Sequence, residues 1–351
     1  MIQLHVWGKD KEISIISPEC VAVVWILNLV LSPQKVPFEV VTSNNTNLSD
    51  VNQLPVLIDG DRKYSGFTEI VKYIDEKYNK TSSEILSTKN MSNTEKLFNQ
   101  CLINLLDTKI KYINQYNLYL NTQNYERYTR KLFSSYLPFP MMYNQPLKYY
   151  KQAQEQVKLL GLGKSSGGFF NLMTNEQQEE EVAQTEIFND EISDDEDEDG
   201  KVAAISSLHE KQLLKKSKTK QVLQESKNSM RCLILINNYI NEIVKLYKER
   251  NPDSGKEFGF IFGDNSVPSS SEVLFYAYIY CLTNDVLPDR FIYNYLHQKR
   301  GTIVEFIDNV TNDFNDTIDE ESIRDPIDDE IPNLINEVKI WANWAISNAA
   351  Q

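Results

Sequence analysis

Histidine is almost missing from this 351-residue chain and cysteine is sparse, with three and four residues. His5, His209 and His297 stand apart from any cysteine or carboxylate cluster of ligand spacing, so a structural zinc site is not expected. Cys20, Cys101, Cys232 and Cys281 are scattered, form no CxxC pair and fall in apolar helical stretches. Reduced thiols packed as small hydrophobes are expected, not a disulfide framework. Basic excess is also lacking. A formal charge of −14 argues against the concentrated basic face that a nucleic-acid partner requires. Long apolar runs are absent too: the longest, residues 21–31, is interrupted by Asn28 and is too short to span a bilayer. The chain opens on an alternating, strand-like stretch, without the basic and apolar regions of a secretory signal and without the arginines of a matrix presequence. A protein peripheral to any membrane it meets is the expectation.

What is present describes a folded, two-part chain. An apolar fraction of 41% and 11% aromatics suit packed cores, and the length accommodates two domains. Residues 1–80 read as strand 2–7, helix 18–31, strand 36–41, strand 54–58, an Asp59-Gly60 turn, strand 62–65 and helix 66–78. Ser17 as N-cap, Pro18 and Glu19 mark the first helix start. A right-handed crossover followed by a hairpin gives βαβ–ββα, a thioredoxin-like half. The first helix is apolar on nearly every face, which calls for burial between the sheet and a second domain. The fold class is therefore α/β plus all-α, with a helical domain over 90–160 and 201–351. Residues 161–200, glycine-rich and then acidic, read as a disordered acidic loop. In the helical part, periodicity predicts helices over 95–119, about 124–136, 148–160, 202–227 running into 232–247, 271–283, 290–297, 302–314 and 335–347. Pro138, Pro140 and Pro146 predict an irregular aromatic segment between two of them.

Candidate sites follow from the thioredoxin-like half. Its active corner would carry a low-pKa thiol at the first helix, and here that position is Ser17. A Ser17 or Ser14 hydroxyl could activate a bound thiol as in a glutathione-dependent transferase; the other reading of Ser17 is an N-cap with Cys20 buried behind it. Pro55 fits a cis-proline position and Gly66 the turn into the next helix, both as architecture. Before Ser65 stands Tyr64, where a glutathione site needs an acidic or amide side chain, so no cofactor is expected. Phe139, Pro140, Met141, Met142 and Tyr143 form a candidate partner-binding loop or a buried connection. Ser193, followed by Asp194-Asp195-Glu196, suits an acid-directed kinase. No catalytic residue and no metal site are assigned.

Leu4-His5-Val6-Trp7-Gly8-Lys9-Asp10, Val23-Val24-Trp25, Ser43-Asn44-Asn45-Thr46-Asn47-Leu48, Leu54-Pro55-Val56-Leu57-Ile58 and Ser65-Gly66-Phe67 occur in this order. Leu120-Asn121-Thr122-Gln123-Asn124-Tyr125, Tyr128–Phe133 and the 139–147 segment follow. Together they resemble the fungal metaxin-like proteins, specifically the larger cytosol-facing subunit of the mitochondrial sorting and assembly machinery. The resemblance covers residues 1–150 well and weakens across 161–230. It implies a glutathione-transferase-like fold without enzyme activity, peripheral on the cytosolic face of the mitochondrial outer membrane. The implied partners are a second metaxin-like subunit, the β-barrel subunit, β-barrel precursors such as porin, and the receptor region of the import translocase. Its implied role is support for folding, release and membrane insertion of those precursors.

Overall fold

The computed structural model describes residues 1–79, 84–162, 199–252, 255–264 and 266–334, with side chains of 199–221 excluded. Strand β1 (Ile2–His5) is followed by a short hairpin, β2 (Gly8–Lys9) and β3 (Glu12–Ile13), then by helix α1 (Pro18–Leu31) and β4 (Phe38–Val41). β1 and β4 pair in parallel across the α1 crossover, while β5 (Val56–Asp59) pairs antiparallel with β1 and with β6 (Arg62–Ser65). Helix α2 (Phe67–Lys77) closes the unit. This is the thioredoxin-like order read from the sequence, with β6 bounded as expected. The β2–β3 hairpin was not expected: its turn residues Asp10 and Lys11 adopt positive φ without a glycine, so no Asn-Gly or Asp-Gly signal marks it.

Every residue of α1 except Glu19 is buried. One side of α1 lies on the sheet unit and α2, and the other packs on the helix at Ser270–Thr283, as its all-round apolarity requires. The helical part begins with α3 (Asn93–Leu105), which runs through a π-turn into α4 (Lys111–Gln115) and a second π-turn ending at Leu120. A short α5 (Thr122–Asn124) leads through a third π-turn to α6 (Arg130–Tyr136), and α7 (Met141–Lys158) follows. The expected irregular segment around the prolines is thus corrected. Only 137–140 is non-helical, and Pro146 lies buried inside α7. Beyond come α8 (Asp199–Arg250), one continuous helix, then α9 (Ser270–Thr283) and α10 (Phe291–Asp316). The helices expected at 290–297 and 302–314 are joined in α10 across a kink at Arg300, φ −138° and ψ 34°. Of the expected acidic loop at 161–200, only residues 161–162 and the first residues of α8 are described, and the expected helix at 335–347 lies outside the described residues.

The C-terminal part does not stay helical. β7 (Ile323–Arg324) returns to the N-terminal sheet and pairs in parallel with Val40 and Val41, giving the order β6-β5-β1-β4-β7. Arg324 holds this strap. Its Nε donates to Glu39 Oε2 at 2.9 Å and its two Nη atoms to the Glu330 carboxylate at 2.7 Å. Asn45 Nδ2 donates to the Asp329 and Ile331 carbonyls, and the Thr42 amide donates to the Arg324 carbonyl at 3.1 Å. Residues 318–334 therefore belong to the sheet unit in space. Arg324→Ala is expected to remove about 1–2 kcal/mol of local stability, the worth of a partly buried charge-assisted cluster. Hydrogen exchange would show the Thr42 amide losing protection while amides between β1 and β5 keep theirs.

Candidate functional site

The cleft between the sheet unit and the helices lies at the N-terminus of α1. Ser17 caps that helix, its Oγ accepting from the Cys20 amide at 3.3 Å. Cys20 is fully buried behind it. Burial pushes its thiol up to about 12, with the Glu19 charge acting the same way and the Ser17 contact opposing. A thiol held protonated is no nucleophile. The capping reading of Ser17 and the core reading of Cys20 hold together. Ser14 does not reach the cleft: it is buried, its Oγ accepts from the Ile16 amide, and it shares hydrogen bonds with Tyr128 and Tyr136.

The Leu54–Pro55 bond is cis, as Pro55 suggested. The Gly66 amide donates to the Pro55 carbonyl at 2.9 Å, and Gly66 caps α2 at φ +82°, ψ 163°, a conformation side chains disfavour. Pro55 and Gly66 thus meet through the backbone at the mouth of the sheet. Ser65 completes β6 opposite Val56.

What fills the cleft was missed in the sequence. Lys111 Nζ on α4 donates to Glu19 Oε1 at 2.6 Å, with both side chains largely buried. Burial alone would lower the Lys111 ammonium, yet the charge and hydrogen bond of Glu19, helped by Asp107, raise it overall. Trp7, Phe133 and Tyr149 pack around this pair, with Trp7 edge-on to Phe133 at 5.6 Å. The space left is about 120 Å³, lined also by Leu54, Asn114 and Tyr278. Ligand pockets usually run to roughly 300–1,000 Å³. The signal was the spacing of Asp107, Lys111 and Asn114, an i, i+4, i+7 polar stripe on one helix face.

Asp107 sits beside the pair. Burial pushes its carboxyl up to about 6, and the nearby Glu19 charge raises it further against the pull of Lys111. Because its folded value lies above the unfolded one, Asp107 costs stability as pH rises from about 4 through about 6. Asp107→Asn is therefore expected to raise stability at pH 7.5 by on the order of 1 kcal/mol, with the gain vanishing near pH 4. Denaturation midpoints of parent and variant across that range would check it.

The other sequence candidates separate in space. Met141 is buried and Met142 half-buried, whereas Phe139 and Tyr143 are 76% and 52% exposed. Their rings meet edge-on at 6.2 Å. The segment is thus anchored by Met141 and presents two aromatics around Pro140, whose bond to Phe139 is cis. Further exposed apolar groups lie on α3 (Leu97 and Phe98) and α8 (Leu223, Met230 and Ile234). Ser193 lies outside the described residues. Among the described residues, no helix is long and apolar enough to cross a membrane.

Residues 20–150 match the family model described as outer mitochondrial membrane transport complex protein, and residues 188–345 match the Tom37 C-terminal domain model. A metaxin-1 homolog of Drosophila melanogaster is 26% identical over 157 residues, 45% of each chain. Metaxin-3 of Xenopus laevis is 27% identical over 158 residues, 45% of this chain and 48% of the relative. The chain thus matches less than half the length of either metaxin. Among solved structures, glutathione S-transferase III in its apo form aligns over 90% of this chain and 94% of its own, at TM-score 0.43 and 13% identity. A glutathione S-transferase of Ceriporiopsis subvermispora in complex with glutathione aligns over 89% and 97%, at TM-score 0.45 and 9% identity. The glutathione-transferase-like assignment rests on the strand order and the helical domain packed on α1.

Proposed function

This chain belongs to the Tom37 family of outer mitochondrial membrane transport complex proteins, and from that premise we propose that it is a non-enzymatic, metaxin-like subunit of the sorting and assembly machinery. It supports the folding, release and membrane insertion of β-barrel precursors and stabilises the complex that carries out those steps. It works from the cytosolic face as a peripheral protein. Its partners are a second metaxin-like subunit and the membrane-embedded β-barrel subunit, and its acidic segment contacts the receptor region of the import translocase. The exposed apolar faces on α3 and α8 are the surfaces offered to partner subunits.

The observation that carries this reading is the filled cleft. Glu19 and Lys111 pair where a transferase would hold its substrate, so the fold keeps its shape while its cavity is spent on joining two domains. Mitochondria depleted of the protein should assemble imported porin into its mature complex several-fold more slowly, and adding back the chain should restore the rate. Unchanged porin assembly on depletion would overturn the proposal. The purified chain should show no turnover of glutathione with a generic electrophile, and measurable turnover abolished by Ser17→Ala would favour the transferase reading instead.

A further inference from the structure

Residues 127–154 contain Arg127, Arg130, Lys131, Lys148 and Lys151 and not one Asp or Glu, in a chain whose net charge is −14. They build the α6–α7 hairpin and the short turn between its helices. Leu137 and Met141, at 5% and 3% exposure, pin the two ends of that turn into the core. Pro138, Phe139 and Pro140 are thereby forced outward, and Tyr143 flanks them one turn into α7. The first turn of α7 is closed by the Met142 amide donating to Pro138 O and the Tyr143 amide to Pro140 O, at 3.1 and 3.0 Å. The aromatics therefore protrude from a rigid knuckle.

The cations stand behind that knuckle. At 1.5 Å per residue, Lys131 on α6 and Lys148 on α7 lie about 9–10 Å back along their helices, and Lys151 one turn further. All three are exposed, and Asn144, Lys148 and Lys151 share one face of α7 at i, i+4, i+7 spacing next to Tyr143. The β2–β3 hairpin that reaches Tyr136 adds no net charge, carrying Lys9 and Lys11 beside Asp10 and Glu12. Aromatic side chains favour the head-group boundary of a bilayer, and lysines set back by a head-group depth reach anionic lipid phosphates with their long stems.

We propose that the α6–α7 knuckle is a membrane-seating element: Phe139 and Tyr143 enter the interface of an anionic bilayer while Lys131, Lys148 and Lys151 contact its head groups. This surface is separate from the apolar faces of α3 and α8. It gives a chain without a spanning helix among its described residues a direct, reversible hold on lipid.

The test is flotation of the full-length chain with phosphatidylcholine vesicles, alone or mixed with phosphatidylserine. Binding is expected only to the mixed vesicles and is expected to fall with added salt. Phe139→Ala/Tyr143→Ala and, separately, Lys131→Gln/Lys148→Gln/Lys151→Gln should each weaken it at least tenfold. Because these side chains are exposed, both variants should keep the parent's unfolding midpoint. Leu97→Ser/Phe98→Ser should float like the parent. The proposal is overturned if the parent ignores both vesicles, if it binds the neutral ones equally, or if the knuckle variants float unchanged. Normal flotation of the Phe139→Ala/Tyr143→Ala variant combined with lost association with partner subunits would make the knuckle a protein contact.

Discussion

Trp25→Ala is expected to be the most damaging single substitution in the described structure. Trp25 is fully buried at the centre of α1, where its Nε1 donates to Asn315 Oδ1 at 2.8 Å. Its ring packs edge-on to Tyr280 and tilted on Phe314, each at 5.5 Å. One side chain thus ties the crossover helix of the sheet unit to α9 and α10. Truncation removes the largest fully buried side chain among the described residues, opens a cavity where rigid helices meet, and removes the hydrogen bond to Asn315. Large aromatic truncations in cores cost about 3–5 kcal/mol, against total stabilities of roughly 5–15 kcal/mol. The midpoint in urea should fall sharply, and unfolding of the two domains should separate because their shared anchor is gone. Trp25→Phe should lose less, about 1–2 kcal/mol, keeping most of the ring but not the hydrogen bond. A Trp25→Ala chain with parental stability would mean that α1 is not the joint between the domains.

Glu272→Ala comes second and acts through polar groups. Glu272 is fully buried in the first turn of α9, where Oε1 accepts from the Ile261 amide at 2.6 Å and Oε2 from the Ser269 amide at 2.8 Å. Ser269 returns the bond by accepting from the Glu272 amide, which completes a capping box. Alanine leaves two buried amides without acceptors, a loss of about 2–4 kcal/mol, since each stranded group costs roughly 1–3 kcal/mol. The connection at 255–268 should loosen with it, because Ile261 is held in place by the same carboxylate. Thermal unfolding would read the stability, and exchange at the Ile261 amide would read the loop. Glu272→Gln should fall between the two, keeping one acceptor and turning an amide N–H toward the other donor.

The sheet unit was largely legible because its signals are local. Ser17-Pro18 caps α1, Asp59-Gly60 turns the hairpin, and the all-round apolarity of 20–31 announced burial on two sides. The elements that escaped are those fixed by distant contacts. β7 is two residues long, too short for any periodicity, and exists because β4 offers it an edge and Arg324 finds Glu39 and Glu330. By its chemistry Pro146 reads as a helix breaker. Its place inside α7 is held by tertiary packing, with Met141, Pro146 and Tyr150 buried along the helix. The cleft was legible in outline only. Ser17, Pro55 and Gly66 named its frame, but its content depends on Lys111 meeting Glu19 across 92 residues, a pairing that no local pattern specifies.

The strap also sets a schedule for the making of this protein. Thr42 and the Arg324 carbonyl it bonds are 282 residues apart, so β4 emerges from the ribosome long before the segment that covers its edge. At roughly 5–20 residues per second, that edge stays open for about 15–60 s of translation. Throughout that interval β4 presents unpaired backbone groups to any extended chain nearby. A chaperone bound early to 36–45, or a stalled chain lacking 318–334, would therefore mark this protein's most exposed moment.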